Sequence, residues 1–350
     1  MFQPERLIRP NIAALVPYSS ARSEYCGTAE IYLDANENSH GSAAGNGFNR
    51  YPDPVQKQLR KRVATLFNVP EESVFLGNGS DEAIDLLFRI FCRPGIDEVI
   101  ICPPTYGMYE TAAAINDAVL RRVPLTAEFQ LDVGGILNTI NESTRLIFLC
   151  SPNNPTGNLL RRSDIMAICN AADCIVVVDE AYIEFADCPS LLSEIPKTPN
   201  LVVLRTLSKA FGCAGVRIGM AFANHKIISV MNTVKPPYNI GTPAAQLANA
   251  ALSRLENVES WIKEIISERS RLAFALGTRR SVECVFPSDA NFLLTRFREA
   301  GRMYDFLISR GIVVRDRRRL PLCEQCLRIT VGTAAENQTL LDAIDEFERL

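Results

Sequence analysis

The sequence predicts an α/β protein of two domains. Two observations carry this. Short apolar runs alternate with helical patterns from residue 73 onward, and the pattern changes after Gly277. The length agrees: a single hydrophobic core stops growing at roughly 250–300 residues, and the chain has 350.

The elements follow in order. Val74–Leu76 reads as a strand, followed by a helix over Asp81–Cys92. Val99–Cys102 is a strand, with a helix beginning near Tyr106. Leu146–Cys150 is a strand, with a helix over Arg162–Ala172. Ile175–Val178 and Leu201–Leu204 are β-branched, apolar strands. Runs this continuously apolar, separated by helices, mark a mostly parallel sheet covered by helices on both faces. A helix-rich stretch spans Pro243 to Gly277. Beyond it, Asn291–Thr295 and Leu327–Val331 read as strands, with helices over Ala300–Arg310 and Ala334–Arg349. That is a smaller α+β unit. The expected division is a large domain over 33–270 and a small domain over 271–350, joined by the N-terminal segment 1–32, which is too short to stand alone. Gly41 to Gly47 reads as a loop.

Composition narrows the class. Hydrophobic residues are 47% and charged residues 22%, as in soluble globular proteins. A net charge of -3 gives no general attraction to nucleic acid or anionic membrane. Met1–Ala14 lacks a signal-peptide pattern, and no stretch is apolar enough to span a bilayer. The eleven cysteines sit mostly in apolar segments, which suits reduced thiols in the cytoplasm. Only two histidines exist, His40 and His225. A serine-histidine-acid triad or a multi-histidine metal site is hard to assemble from these two. Cys323 and Cys326 form a lone C-x-x-C, so no metal is expected.

Four segments at strand ends carry chemistry, because ligands in such sheets sit beyond the carboxyl ends of the strands. Gly77-Asn78-Gly79-Ser80-Asp81 joins a strand to a helix and offers free N–H groups to a phosphate. It fits neither dinucleotide nor P-loop patterns, and a plain capped turn explains it equally well. Ser151 to Gly157 holds two asparagines between two prolines, a stiff turn able to fix Asn154. Asp179 ends a buried strand, where an acid is costly unless paired, and Tyr182 follows it. Thr206-Leu207-Ser208-Lys209 follows another strand, with Arg217 beyond. Lys209 has apolar or small neighbours, and a desolvated lysine becomes a nucleophile for carbonyls. Thr206, Ser208 and Arg217 supply donors for a phosphate dianion. Together these fit pyridoxal 5'-phosphate (PLP): an amine for the aldehyde, an acid for the ring nitrogen, hydrogen-bonders for the phenolic oxygen and a phosphate cradle.

The motifs also resemble a known family. Leu33-Asp34-Ala35-Asn36-Glu37-Asn38, Asn49-Arg50-Tyr51-Pro52, Cys102 to Tyr106, Ser151 to Gly157, Asp179 to Tyr182, Arg205 to Phe211 and Cys326 to Thr333 run in the order found in histidinol-phosphate aminotransferases. The resemblance covers the chain from about residue 10 to its end. It implies the aspartate-aminotransferase-like fold (fold type I), a homodimer, PLP as cofactor, and small-molecule substrates: histidinol phosphate and glutamate or 2-oxoglutarate, in histidine biosynthesis. It implies Lys209 as the Schiff-base lysine, Asp179 against the ring nitrogen, Tyr106 stacked on the ring, and Asn154 and Tyr182 at the phenolic oxygen. Ser80, Asp81, Thr206, Ser208 and Arg217 would surround the cofactor phosphate, with Tyr51 donated by the partner subunit. Arg328 matches the arginine for the substrate's acidic end, and Arg315 one near the substrate phosphate. Tyr18, Asn36 and Asn239 would face the substrate. A basic turn in solvent, Arg315-Asp316-Arg317-Arg318-Arg319, explains Arg315 equally well. The chain departs from the family at Ser39-His40, where a proline usually follows the Asn-Glu-Asn. Threonine-phosphate decarboxylase and aromatic aminotransferase activities on the same scaffold stay open as alternatives, as does a non-catalytic PLP-binding regulator.

Overall fold

Seven strands build the large sheet of the computed structural model, which describes residues 2–18, 29–45 and 47–350. They are β1 (Val74–Asn78), β2 (Glu98–Ile101), β3 (Val119–Arg122), β4 (Thr144–Cys150), β5 (Ile175–Asp179), β6 (Leu201–Thr206) and β7 (Ile218–Ala223). Their spatial order is β1-β7-β6-β5-β4-β2-β3. All neighbours pair in parallel except β7, which runs antiparallel to both β1 and β6. The mostly parallel sheet expected from the apolar runs is present.

Strand periodicity explains those continuous runs. Ile147 and Leu149 of β4, with Val176 and Val178 of β5, enter one core. Leu146, Phe148 and Cys150, with Ile175 and Val177, enter a second core on the opposite face. Successive side chains alternate between faces, so a sheet buried on both sides needs an apolar residue at nearly every position. Helices cover each face. The first core takes Leu59 and Val63 from a helix over Lys57–Phe67 and Ile165 and Ile168 from one over Arg162–Ala171. The second takes seven buried positions from helix α1 (our label for Ser80–Phe91) and Tyr109 from helix α2 (Met108–Ile115).

A second, wholly antiparallel sheet has the order β10-β11-β9-β8, with β8 at Val282–Val285, β9 at Phe292–Phe297, β10 at Arg315–Asp316 and β11 at Cys326–Thr330. One face, with Leu293, Leu327 and Ile329, packs under the helices Ala300–Ser309 and Ala334–Phe347 as a core of its own. The other face, with Phe292, Leu294 and Cys326, joins the first core of the large sheet. Arg328 shares the parity of Cys326, so it points toward the large sheet.

The N-terminal segment departs from expectation. Phe2, Leu7, Ile8 and Ile12 pack on the large sheet's second core, not on the small unit. The Arg9 N–H donates to the Ile90 carbonyl at 2.9 Å, and its guanidinium to the Arg89 carbonyl at 2.9 Å. The last carbonyls of α1 lack helical partners, which Arg9 supplies. Residues 19–28 of that segment lie outside the described residues. Among the described residues, no helix is long and apolar enough to cross a membrane.

Candidate active site

The carboxyl ends of β1, β4, β5 and β6 open onto one cavity of about 350 Å³. Ser80, Asp81, Tyr106, Asn154, Asp179, Tyr182, Thr206, Ser208, Lys209, Arg217, Arg315 and Arg328 all line it. The structure therefore brings together twelve of the residues singled out from sequence, from segments spread over most of the chain.

Asp179 is the deepest acid. It ends β5 beside Cys150 of β4 and is fully buried. Burial pushes its carboxyl up from 3.8 to about 6, against the hydrogen bonds that favour the charge. Those come from the Tyr109 hydroxyl to Oδ2 at 2.8 Å and the Ala181 N–H to Oδ1 at 3.1 Å. No arginine or lysine hydrogen-bonds to it among the described residues. Tyr109 was missed in the sequence, where it looks like one more apolar-face residue of α2. Cys150, which also lines the cavity, was missed for the same reason.

Lys209 follows β6 and is drawn below its ordinary value, first by burial and then by Arg328. Its Nζ lies 5.4 Å from the Tyr182 ring centroid. The Tyr182 hydroxyl accepts from Asn154 Nδ2 at 3.4 Å, and Arg328 donates to Asn154 Oδ1. The stiff turn works through the other asparagine. Asn153 donates to the Pro104 carbonyl at 2.9 Å and to Thr156 Oγ1 at 2.7 Å. With Asn153 holding the turn, Asn154 is left for the cavity.

An anion cradle lies at the start of α1. This 12-residue helix has no side-chain cap, so its first N–H groups stay free. Arg217 reaches the same place because β7 runs antiparallel and so begins at the edge where the other strands end. Arg217 has φ 59 and pairs with Asp81 at 3.2 Å. Asp81 also accepts from the Tyr106 hydroxyl at 3.2 Å. Asp81 thus holds the Arg217 guanidinium at the cradle. The backbone must come close here: a Cβ at Gly79 would lie 2.6 Å from Arg217 Nη2, and Gly79 has φ +78. Thr206 Oγ1 accepts the Ser208 N–H at 3.0 Å, and Ser208 Oγ accepts from Arg217 Nη1 at 3.5 Å.

Arginines line the opposite wall. Arg315 on β10 pairs in register with Arg328 on β11, and Arg317 shares their face. Arg328 lies over the Phe292 ring at 5.1 Å, which in turn meets Tyr182 edge-on. Arg317 was read from sequence only as part of a basic turn.

Four candidates fall outside the cavity. Tyr18 is 76% exposed, and Tyr51 is 52% exposed and stacks on Tyr238 at 4.5 Å. Asn36 lines a separate surface groove with Tyr51 and Pro243. Asn239 is occupied elsewhere: it donates to the Leu76 carbonyl at 3.0 Å and to Glu82, and accepts from Lys235 at 3.0 Å.

Such a site suits a flat, phosphorylated, carbonyl-bearing cofactor with a basic ring nitrogen. The cradle fits the phosphate, buried Asp179 fits a protonated ring nitrogen, and Lys209 fits the carbonyl. The fold and site define an enzyme of the lysine-and-cofactor type. Comparison with known proteins makes this specific. Residues 23–344 match the family described as aminotransferase class I and II, and the chain belongs to that family. It is 48% identical over 346 residues to the histidinol-phosphate aminotransferase of Cytophaga hutchinsonii, covering 99% of each chain. Among solved structures it resembles the histidinol-phosphate aminotransferase of Clostridium acetobutylicum, with TM-score 0.80 and 25% identity over 86% of this chain and 91% of that one. It also resembles that of Sinorhizobium meliloti in complex with pyridoxal-5'-phosphate, with TM-score 0.79 and 25% identity over 90% and 89% of the chains.

Proposed function

We infer that the enzyme is a PLP-dependent histidinol-phosphate aminotransferase. It moves an amino group between histidinol phosphate and 2-oxoglutarate, giving imidazole acetol phosphate and glutamate, or the reverse in histidine biosynthesis. The observation that carries the substrate class is the wall of Arg315, Arg317 and Arg328 facing the cofactor site with no carboxylate among them.

When bound, PLP supplies a carbonyl carbon that exchanges amines and a protonated ring that takes up electron density. The chain does the rest. Asp179 keeps the ring nitrogen protonated, and Asn154 and Tyr182 hold the phenolic oxygen. Ser80, Thr206, Ser208 and Arg217 hold the phosphate. With the cofactor bound, Lys209 Nζ would take the proton from the substrate's α-carbon and hold it for delivery to the cofactor. Its lowered proton affinity keeps more of it neutral and ready for that task. Arg328 receives a carboxylate in one half-reaction and a phosphate in the other, since its planar fork suits both.

The test is a paired assay on PLP-loaded protein. Histidinol phosphate with 2-oxoglutarate is expected to yield glutamate, and phosphothreonine to yield no carbon dioxide. Carbon dioxide from the second, with no glutamate from the first, would assign a decarboxylase instead.

We also propose a homodimer acting in the cytoplasm, with domains divided near residue 270 and the described N-terminal residues counted with the large one. A separate core beginning at Leu272 supports the division. Exposed Tyr51, which lines a surface groove with exposed Phe48, supports the dimer, with Tyr51 reaching the partner's cavity. Mixing Tyr51→Ala and Lys209→Ala subunits is expected to restore activity, because each hybrid contains one site with both residues intact. Activity no greater than the sum of the separate variants would count against a shared site.

A further inference from the structure

Arg317 reaches the cavity, yet the reading so far gives it no task of its own. Strand alternation puts it on the side of Arg315, and its N–H bonds the Cys326 carbonyl at 3.1 Å, continuing the β10-β11 ladder that sets Arg315 against Arg328. Asp316 points the other way and pairs with Arg318 at 2.7 Å, so it neutralises neither cavity arginine. Arg317 is half-buried, and no side-chain hydrogen bond or ion pair holds its guanidinium among the described residues. Its buried Nε has no partner, nor has that of Arg328. Its charged neighbours are two more arginines, with the neutral Cys323 thiol and Tyr182 hydroxyl near by, and burial with those cations pulls it down to about 10.

Arg317 and Arg328, both partly buried beside the more exposed Arg315 and without a carboxylate partner among the described residues, are costly unless an anion arrives. A carboxylate brings one charge and two oxygens. A phosphate monoester brings nearly two charges and three strong acceptor oxygens, enough for all three forks. We propose that Arg317 is a specificity-determining residue that, with Arg315 and Arg328, favours a phosphate monoester over a carboxylate at the substrate's acidic end. This rests on the substrate reading given above.

The test compares the PLP-loaded wild type with Arg317→Met, which keeps the half-buried stem, and Arg317→Lys, which keeps the charge. Three readouts are taken: kcat/KM for histidinol phosphate, kcat/KM for glutamate, and competition by inorganic phosphate against glutamate. In Arg317→Met the ratio of the first to the second is expected to fall about 10- to 100-fold, the size of a lost charge-assisted hydrogen bond. Phosphate competition should weaken with it, and Arg317→Lys should lose less. An unchanged ratio with unchanged phosphate competition would overturn the proposal, as would equal losses in both half-reactions. Should Arg317→Met not fold, the lysine variant decides: weaker phosphate competition supports the role and unaltered competition removes it. If the wild type itself ignores histidinol phosphate, the substrate reading fails, and the phosphate arm still judges Arg317 by the same criterion.

Discussion

Lys209→Ala is expected to lower turnover by at least about 10⁴-fold while the protein still binds PLP. Positioned proton transfer alone typically contributes about 10²–10⁴-fold, and Lys209 also supplies the amine that captures the cofactor carbonyl. Nothing else in the cavity replaces it. The other cations there are Arg217, Arg315, Arg317 and Arg328, and guanidinium does not give up its proton in this way. Retention follows because the variant leaves the proposed phosphate contacts, Ser80, Thr206, Ser208 and Arg217, in place. The measurement is the glutamate half-reaction in a single turnover, with bound cofactor followed by absorbance. Lys209→Arg separates charge from chemistry: it keeps the cation and should stay as inactive as the alanine variant. Turnover within about tenfold of wild type in either variant would remove Lys209 from the mechanism.

Asp179→Asn should move activity and stability in opposite directions. Its carboxyl is raised in the folded protein, from 3.8 to about 6, chiefly by burial. A raised acid favours folding only while protonated. Below pH 3.8 the carboxyl is protonated in folded and unfolded chains alike and costs nothing. The penalty builds as pH rises to about 6 and is full above that. The difference corresponds to up to about 3 kcal/mol. Removing the charge should therefore stabilise the cofactor-free protein at neutral pH by part of that amount, and by little near pH 4. Asn keeps an acceptor oxygen for one of the two donors, Tyr109 or Ala181 N–H, which reduces the gain. Urea unfolding of cofactor-free protein at both pH values measures it. Equal destabilisation at both would show that the carboxylate is not the strained group. With PLP bound, the same variant should lose about 10²–10³-fold in turnover, as when a preorganised charge is removed from a reacting centre. An acid that costs stability when the site lacks its cofactor is retained for what it does when the cofactor is present.

The local signals were legible in the sequence because they repeat at short range. Apolar runs such as Leu146–Cys150 and Ile175–Val178 announced a sheet buried on both faces, and both cores are there. Asp179 and Lys209 stood out because each is a charge placed where apolar neighbours make charge expensive. Asn154 stood out through its prolines, although Asn153 turned out to hold the turn. Tyr109 did not stand out, since an aromatic residue on an apolar helix face looks like packing until its hydroxyl is seen against Asp179.

By itself, then, the sequence determined the α/β class, the order of the main elements and the residues able to do chemistry. Each of these depends on neighbours a few positions away. Only the tertiary structure decided which of them meet. The reversed direction of β7 brings Arg217 to the cradle, and the β10-β11 register sets Arg315 against Arg328 and turns Arg317 the same way. The Lys235 and Glu82 contacts hold Asn239 away from the cavity. Strand direction and register are set by pairing between distant segments, and a slip of one residue in β10 would turn Arg315 and Arg317 from the cavity.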